Sequence, residues 1–282
     1  MRKILLSIYK KINKVLLGTG VRRFRLVKAV DNFVARFIKS DFTLIQGHKM
    51  FLDSEDSLRL SLSGVYEPFE TETIKDIVKK GDIVMDIGAN IGYYTLLLAR
   101  FVGDKGKVIA FEPDSDNFVL LKKNVEINGY KNVILVQKAV SNKTEKIKLY
   151  LHKNDKKQHS IYDSSNSRKS IEVESIRADN YIDEKVDFIK IDIEGAEGEA
   201  VLGMDDLLKK NEKIKIITEF SPCSLEKSSV GPKEFLELLL EHNFKLCEIN
   251  EQKKELRQTN PAKLLGAYTA RNRKGTNLFC TK

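Results

Sequence analysis

The residues Asp86-Ile-Gly88-Ala-Asn90-Ile-Gly92 carry the most specific chemistry in the chain. A short apolar run meets a carboxylate, turns through Gly88 and Gly92, and enters an apolar-periodic helix. A strand, glycine turn and helix in this order lets backbone approach a bound nucleotide closely, because glycine has no Cβ. The pattern is Asp-x-Gly-x-Asn-x-Gly, not the Gly-x-Gly-x-x-Gly of a dinucleotide site. A carboxylate two residues before the first glycine suits a ligand with positive charge near the turn. Glu112 follows Gly88 by twenty-four residues and ends a second apolar run, 108–111. An acid at the end of a second strand is placed to hydrogen-bond ribose hydroxyls. Two acids at this spacing favour a nucleoside site over a turn used for packing alone.

Four blocks share a further likeness: Asp86–Thr95, Phe111-Glu-Pro113, Val136–Ser141 and Ile189-Lys-Ile-Asp-Ile-Glu-Gly-Ala-Glu197. In these the chain resembles the FkbM-type S-adenosylmethionine-dependent methyltransferases, over about residues 65–282. The resemblance implies a Rossmann-like methyltransferase fold and S-adenosylmethionine (SAM) as cofactor. It also implies O-methylation of a hydroxyl, often on a sugar or a glycosylated metabolite. The α-ammonium of SAM would supply the positive charge that Asp86 suits. Gly88, Asn90 and Gly92 shape the turn. Tyr94 and Thr95 follow at the helix start, where free backbone N–H groups suit the SAM carboxylate. The resemblance puts backbone contacts to the adenine near Ala139.

Methyl transfer from a sulfonium needs no covalent enzyme intermediate. The protein must align oxygen, methyl and sulfur and take the hydroxyl proton as attack proceeds. The candidate bases are Asp192 and Glu197, after the fourth apolar strand, and Glu219, at the end of the fifth. Asp192, Glu194 and Glu197 fall within six residues, more acids than capping the following helix requires. His159 lies inside the polar stretch 153–170 and is the fourth candidate. Asp192 with Glu219 is also similar to the strand-end acids that hold Mg²⁺ in catechol-type methyltransferases. Hard oxygen ligands suit that ion. A third ligand is not evident in the sequence, so no residue is assigned to a metal.

These groups need an α/β frame. Apolar runs at 83–87, 107–111, 133–140, 186–193, 213–220 and 244–249 alternate with helical patterns ending near 101, 128, 210 and 242. Such alternation predicts a mostly parallel sheet with helices on both faces. A further strand is expected near 276–282, and a helix over 68–80. A hairpin is expected around Gln46-Gly47. The stretch between the third and fourth strands breaks the alternation. It reads as an antiparallel insertion, 145–178, over the ligand crevice, with 153–170 as a lid.

The 282 residues carry a formal net charge of +9, unevenly spread. Residues 1–40 hold eleven Lys and Arg and one acid, Asp31, whereas residues 41–282 are net −1. The division expected is a basic, amphipathic helical arm, 1–40, ahead of a methyltransferase domain, 41–282. The arm reads either as a cap packed on the body or as an attachment to an anionic membrane surface. Three widely spaced cysteines suggest neither metal site nor disulfide framework. The early lysines 10, 11 and 14 argue against a signal peptide. A cytoplasmic enzyme is the expectation, peripheral at the inner membrane face if the arm attaches there.

Three rivals are weaker. A nucleic-acid methyltransferase acting on base amines needs an Asp/Asn-Pro-Pro-aromatic run where this chain has Asp192-Ile-Glu-Gly. Pro222-Cys223 follows the fifth strand rather than the fourth, so Cys223 reads as structural. A non-catalytic SAM-fold module would not need acids at every strand end. A nicotinamide dehydrogenase would need the other glycine turn. Expected partners are therefore a hydroxyl-bearing, saccharide-like acceptor and an anionic membrane surface, not nucleic acid.

Overall fold

The computed structural model describes residues 42–151, 159–162 and 169–282. The expected basic arm and most of the expected lid lie outside them. The centre is an eight-stranded sheet, built from β3 (Ile83–Ile87), β4 (Lys107–Phe111), β5 (Val133–Val136), β9 (Phe188–Ile191), β10 (Lys215–Phe220), β11 (Lys245–Asn250), β12 (Glu255–Gln258) and β13 (Thr276–Thr281). Their order is β12-β11-β13-β10-β9-β3-β4-β5. Neighbours from β10 through β9, β3 and β4 to β5 are parallel. β13 enters antiparallel between β10 and β11, and β12 pairs antiparallel at the edge. The α/β expectation with a mostly parallel sheet holds.

The central strands β3, β4, β9 and β10 are largely buried on both faces, so they read as near-continuous apolar runs, whereas the edge strand β12 is exposed throughout. All four residues of β9 are buried. One core packs the sheet against helices Glu197–Leu202, Asp205–Lys210 and Pro232–Glu241. The other packs it against helices Pro68–Ile77, Tyr93–Val102 and Ser115–Ile127. β3 and β9 lie side by side although a long insertion separates them in the chain. Their junction is the topological switch point, where open α/β sheets bind ligands.

Several boundaries differ from expectation for local reasons. The run 133–140 is two strands, because the chain leaves the main sheet after Val136. Ala139–Val140 (β6) joins a small sheet with β7 (Lys146–Tyr150) and β8 (Ser170–Ile176), in the order β6-β8-β7. β7 and β8 are antiparallel, as expected of the insertion, while β6 and β8 are parallel. The helix expected up to residue 210 breaks between Leu202 and Asp205. There the chain passes so close that a Cβ on Gly203 would lie 2.0 Å from the Ser141 carbonyl oxygen. The hairpin strand β12 and the helices Pro222–Leu225 and Pro261–Ala267 are short and were not anticipated. The hairpin around Gln46-Gly47 is present as β1 (Thr43–Ile45) and β2 (His48–Met50). No helix among the described residues is long and apolar enough to cross a membrane.

Candidate active site

The carboxyl ends of β3, β4 and β9 open into a cavity. Gly88, Asn90, Glu112, Asn117, Lys138 and Ala139 line one side, and Asp192, Ile193 and Ala196 another. Leu149, His159, Ser160 and Ile161 of the insertion complete it. Gly88 is required by space as well as by its φ of +86°. A Cβ there would lie 2.0 Å from the Asp192 carbonyl oxygen, so only glycine lets β3 and β9 meet so closely.

Four of the eight residues expected at the cofactor line this cavity: Gly88, Asn90, Glu112 and Ala139. Glu112 is buried and accepts backbone N–H bonds from Asn90 at 2.8 Å and Asp114 at 2.9 Å. Burial pushes its carboxyl up to about 8. The Oδ1 atom of Asn117, 2 % exposed, has no hydrogen-bond partner among the described residues. An orphaned acceptor beside a buried acid fits a ligand bearing both hydroxyl and N–H donors, as a nucleoside does.

The other four do not line the cavity. Asp86 sits beneath it, 1 % exposed, and its Oδ2 accepts a 2.5 Å bond from the Thr95 hydroxyl. Burial raises its carboxyl to about 6. Asp86 and Thr95 therefore tie β3 to the first turn of the 93–102 helix. Gly92 is the left-handed N-cap of that helix, with φ +95°. Tyr94 turns away, and its hydroxyl donates to Glu67 at 2.9 Å. The strand's two-residue alternation explains the outcome: Asp86 points to the face that this helix covers.

The acids after β9 and β10 separate in the same way. Glu197, 1 % exposed, accepts N–H bonds from Ile193 at 3.2 Å and Gly195 at 3.0 Å. It holds the left-handed turn at Glu194 (φ 54°) and Gly195 (φ 106°), and burial raises its carboxyl. Glu197 thus positions the loop, and it does not line the cavity. Asp192, Glu194 and Glu219 each bring one carboxylate oxygen within 4.8 Å of the others. The Oε2 atom of Glu219 is buried without a hydrogen-bond partner. Burial, with Glu194, Asp192 and Glu197 around it, holds the Glu219 carboxyl well above its usual range. Asp192 belongs both to this cluster and to the cavity wall. His159 also lines the cavity.

The residue most conspicuously absent from the expectations is Lys190. It is fully buried in the middle of β9, level with Asp86 on β3. Its ammonium lies 3.1 Å from Glu70 Oε1, close enough for an ion pair though not aligned as a hydrogen bond. It is also 3.6 Å from Asp192 and 5.2 Å from the centre of the Tyr94 ring. Burial pulls its basicity down, but Glu70, Asp192 and Glu67 outweigh that and hold it above the ordinary value. Glu67 and Glu70 both accept from the Asn277 amide. The signal was legible: a lysine inside an otherwise apolar central strand needs a buried partner.

A roof segment completes the site. The Ser160 hydroxyl donates to the Glu194 carbonyl at 2.9 Å. The Tyr162 hydroxyl donates to the buried Glu199 carboxylate, which also accepts from the Ser229 N–H at 3.0 Å and hydroxyl at 2.6 Å.

The family model described as "Methyltransferase FkbM domain" matches residues 86–246, which span every group above except Glu67, Glu70 and Asn277. Methyltransferase 1 of Beauveria bassiana is 25% identical over 146 residues, covering 44% of this chain and 58% of that protein. A probable cobalt-precorrin-6B C(15)-methyltransferase (decarboxylating) of Sulfurisphaera tokodaii is 43% identical over 53 residues, 19% of this chain and 28% of that one. The chain thus spans less than two thirds of either relative. The solved methyltransferase FkbM of Methylobacillus flagellatus aligns at 16% identity with a TM-score of 0.44, covering 79% of this chain and 52% of that one.

Proposed function

Because the chain belongs to the FkbM methyltransferase family, we propose that it transfers the methyl group of SAM to a hydroxyl oxygen of a saccharide or glycosylated acceptor. The observation that carries this reading is the position of Asp192. It lines the cavity at the carboxyl ends of β3, β4 and β9 and also belongs to the acid cluster with Glu194 and Glu219. SAM supplies an activated methyl on sulfur. The chain's part is to hold the nucleoside on Glu112 and Asn117, to orient the acceptor hydroxyl, and to take its proton on Asp192. Lys190 holds the Asp192 carboxylate in place, and the 159–162 roof excludes water.

Asp192, Glu194 and Glu219 also have the donor chemistry for Mg²⁺, and Glu219's unpartnered oxygen fits such a ligand. There the ion would lower the acceptor hydroxyl's pKa. Loss of turnover in EDTA, restored by Mg²⁺, is the result expected of that variant of the reading.

The acceptor test is transfer of a labelled methyl from SAM into fractionated cell extract. Label is expected in the glycan or glycolipid fraction, stable to mild base as an ether is. Label in RNA, or in base-labile esters of protein, would refute the acceptor assigned here.

Cofactor binding is expected to strengthen as pH rises from 6 to 8. A carboxyl raised by burial keeps its proton at neutral pH in the free protein. Ribose hydroxyls donating to the carboxylate favour its ionised form, so binding releases protons from Glu112. Calorimetry at pH 7 in buffers of different ionisation enthalpy should register that release. Glu112→Ala should abolish it and weaken SAM about ten- to hundredfold, the worth of a charge-assisted hydrogen bond. Equal affinity at pH 6 and 8 would refute the role given to Glu112.

A further inference from the structure

The described body has a second charged region that methyl transfer itself does not use. Residues 252–274 contain seven basic side chains and a single acid, Glu255, within a body of net −1. All seven cations are exposed, and none makes an ion pair among the described residues.

Five of the seven gather where the topology puts two loops on the site's edge of the sheet. β11 runs parallel to β10, because both pair antiparallel with β13. The turn after Asn250, with Lys253 and Lys254, therefore leaves the sheet on the side where β9 and β10 present Asp192 and Glu219. The loop carrying Arg271, Arg273 and Lys274 enters β13 from that same side, since Asn277 pairs with Glu219 and Thr276 with Phe220. Both loops are fastened to the site. Glu251 accepts the N–H groups of Phe69 at 3.1 Å and Glu70 at 2.7 Å, and Glu70 is the partner of Lys190. A Cβ on Gly275 would lie 3.0 Å from the Phe220 carbonyl oxygen, one residue beyond Glu219.

The acceptor therefore meets two opposite fields: an acidic centre of Asp192, Glu194 and Glu219, and a cationic rim. A neutral polyol satisfies only the centre. A nucleic-acid strand would carry phosphates on both sides of the reacting nucleotide and force some against the acids. A molecule with a neutral hydroxyl-bearing end and one anionic end satisfies both. We infer that the acceptor is a saccharide esterified to phosphate or diphosphate, whose anionic group docks on Lys253, Lys254, Arg271, Arg273 and Lys274 while its hydroxyl reaches Asp192. Two arginine forks suit phosphate oxygens in particular. This deepens the methyltransferase reading and rests on it for the hydroxyl's fate, not for the docking.

The experiment separates the two. Full-length protein saturated with S-adenosylhomocysteine is titrated with inorganic pyrophosphate, following backbone amide shifts. Saturable binding is expected, with shifts confined to 251–255 and 270–275. Neutralising the rim with Lys253→Gln, Lys254→Gln, Arg273→Gln and Lys274→Gln should weaken pyrophosphate at least ~tenfold and leave S-adenosylhomocysteine affinity unchanged. The control neutralises the exposed Lys122 and Lys123, on the helix between β4 and β5 at the other end of the sheet. It should change nothing. Competition by a nucleoside diphosphate sugar or by a short-chain lipid diphosphate names the source, and either supports the inference. It is overturned if pyrophosphate fails to bind, if the control weakens it equally, or if oligouridylate binds more tightly than either competitor. Failure of S-adenosylhomocysteine to bind would refute the cofactor reading alone and leave the rim result standing.

Discussion

Asp192→Asn is expected to lower turnover by ~10²–10⁴-fold, the usual contribution of a general base, while SAM affinity stays within a few-fold. Asparagine keeps the shape and the backbone contact that Gly88 requires, so the fold and the cofactor cradle survive. What it loses is the ability to take a proton. Glu219→Gln should behave differently. The Glu219 carboxyl is held well above its usual range by burial and by Glu194, Asp192 and Glu197, which favours its neutral form. Glutamine imitates a protonated carboxyl, and most of the turnover should remain. The pair of variants also separates the two acceptor chemistries, because a metal ligand at Glu219 would tolerate glutamine poorly. Asp192→Asn turnover within tenfold of the parent would move the base elsewhere, with His159 the next group on the cavity wall.

The second large effect is on stability. Lys190→Met is expected to cost ~3–5 kcal/mol, because it strands the buried Glu70 carboxylate without its cation. Adding Glu70→Gln should restore most of that loss, since removing both charges from a buried site is far cheaper than removing one. The doubly substituted protein would then fold with Asp192 lacking its neighbour. It should bind SAM normally and turn over slowly. Chemical denaturation of the two single variants and the pair completes a double-mutant cycle. Costs that simply add, with no recovery in the pair, would dismiss the ion pair as the reason for the lysine.

These two residues mark how far the chain could be read in advance. The strands β3 and β4 were legible to the residue, because central parallel strands are mostly apolar runs bounded by glycine or charge. Glu112 and Asp192 were legible because acids at strand ends stand out against such runs. Asp86 looked equivalent to Glu112 in spacing, but strand alternation aims it at a helix rather than the cavity. Glu197 looked equivalent to Asp192, but only the left-handed turn at Glu194 and Gly195 shows that its carboxylate is spent on backbone N–H groups. Lys190 was visible but unassigned, since its partners Glu70 and Tyr94 lie about a hundred residues away in the chain. The insertion's small sheet was expected only as an antiparallel element. Its parallel β6–β8 pair depends on where the chain leaves the main sheet, which no local pattern records.

The fastening of the roof carries a consequence for how such a protein can diverge. Ser160 and Tyr162 reach the site through a carbonyl and a carboxylate on the loop and helix after β9, not through the turn that follows β3. The glycine turn with Glu112 and the insertion that closes the cavity are therefore inherited through separate stretches of chain, although Leu149 and residues 159–161 share the cavity wall with Glu112. Mutation can rewrite the 145–176 insertion, retaining little beyond a hydroxyl at each of two positions, without disturbing the glycine turn or Glu112. Lineages sharing this fold should then differ most where β7 and β8 lie and least between Asp86 and Glu112.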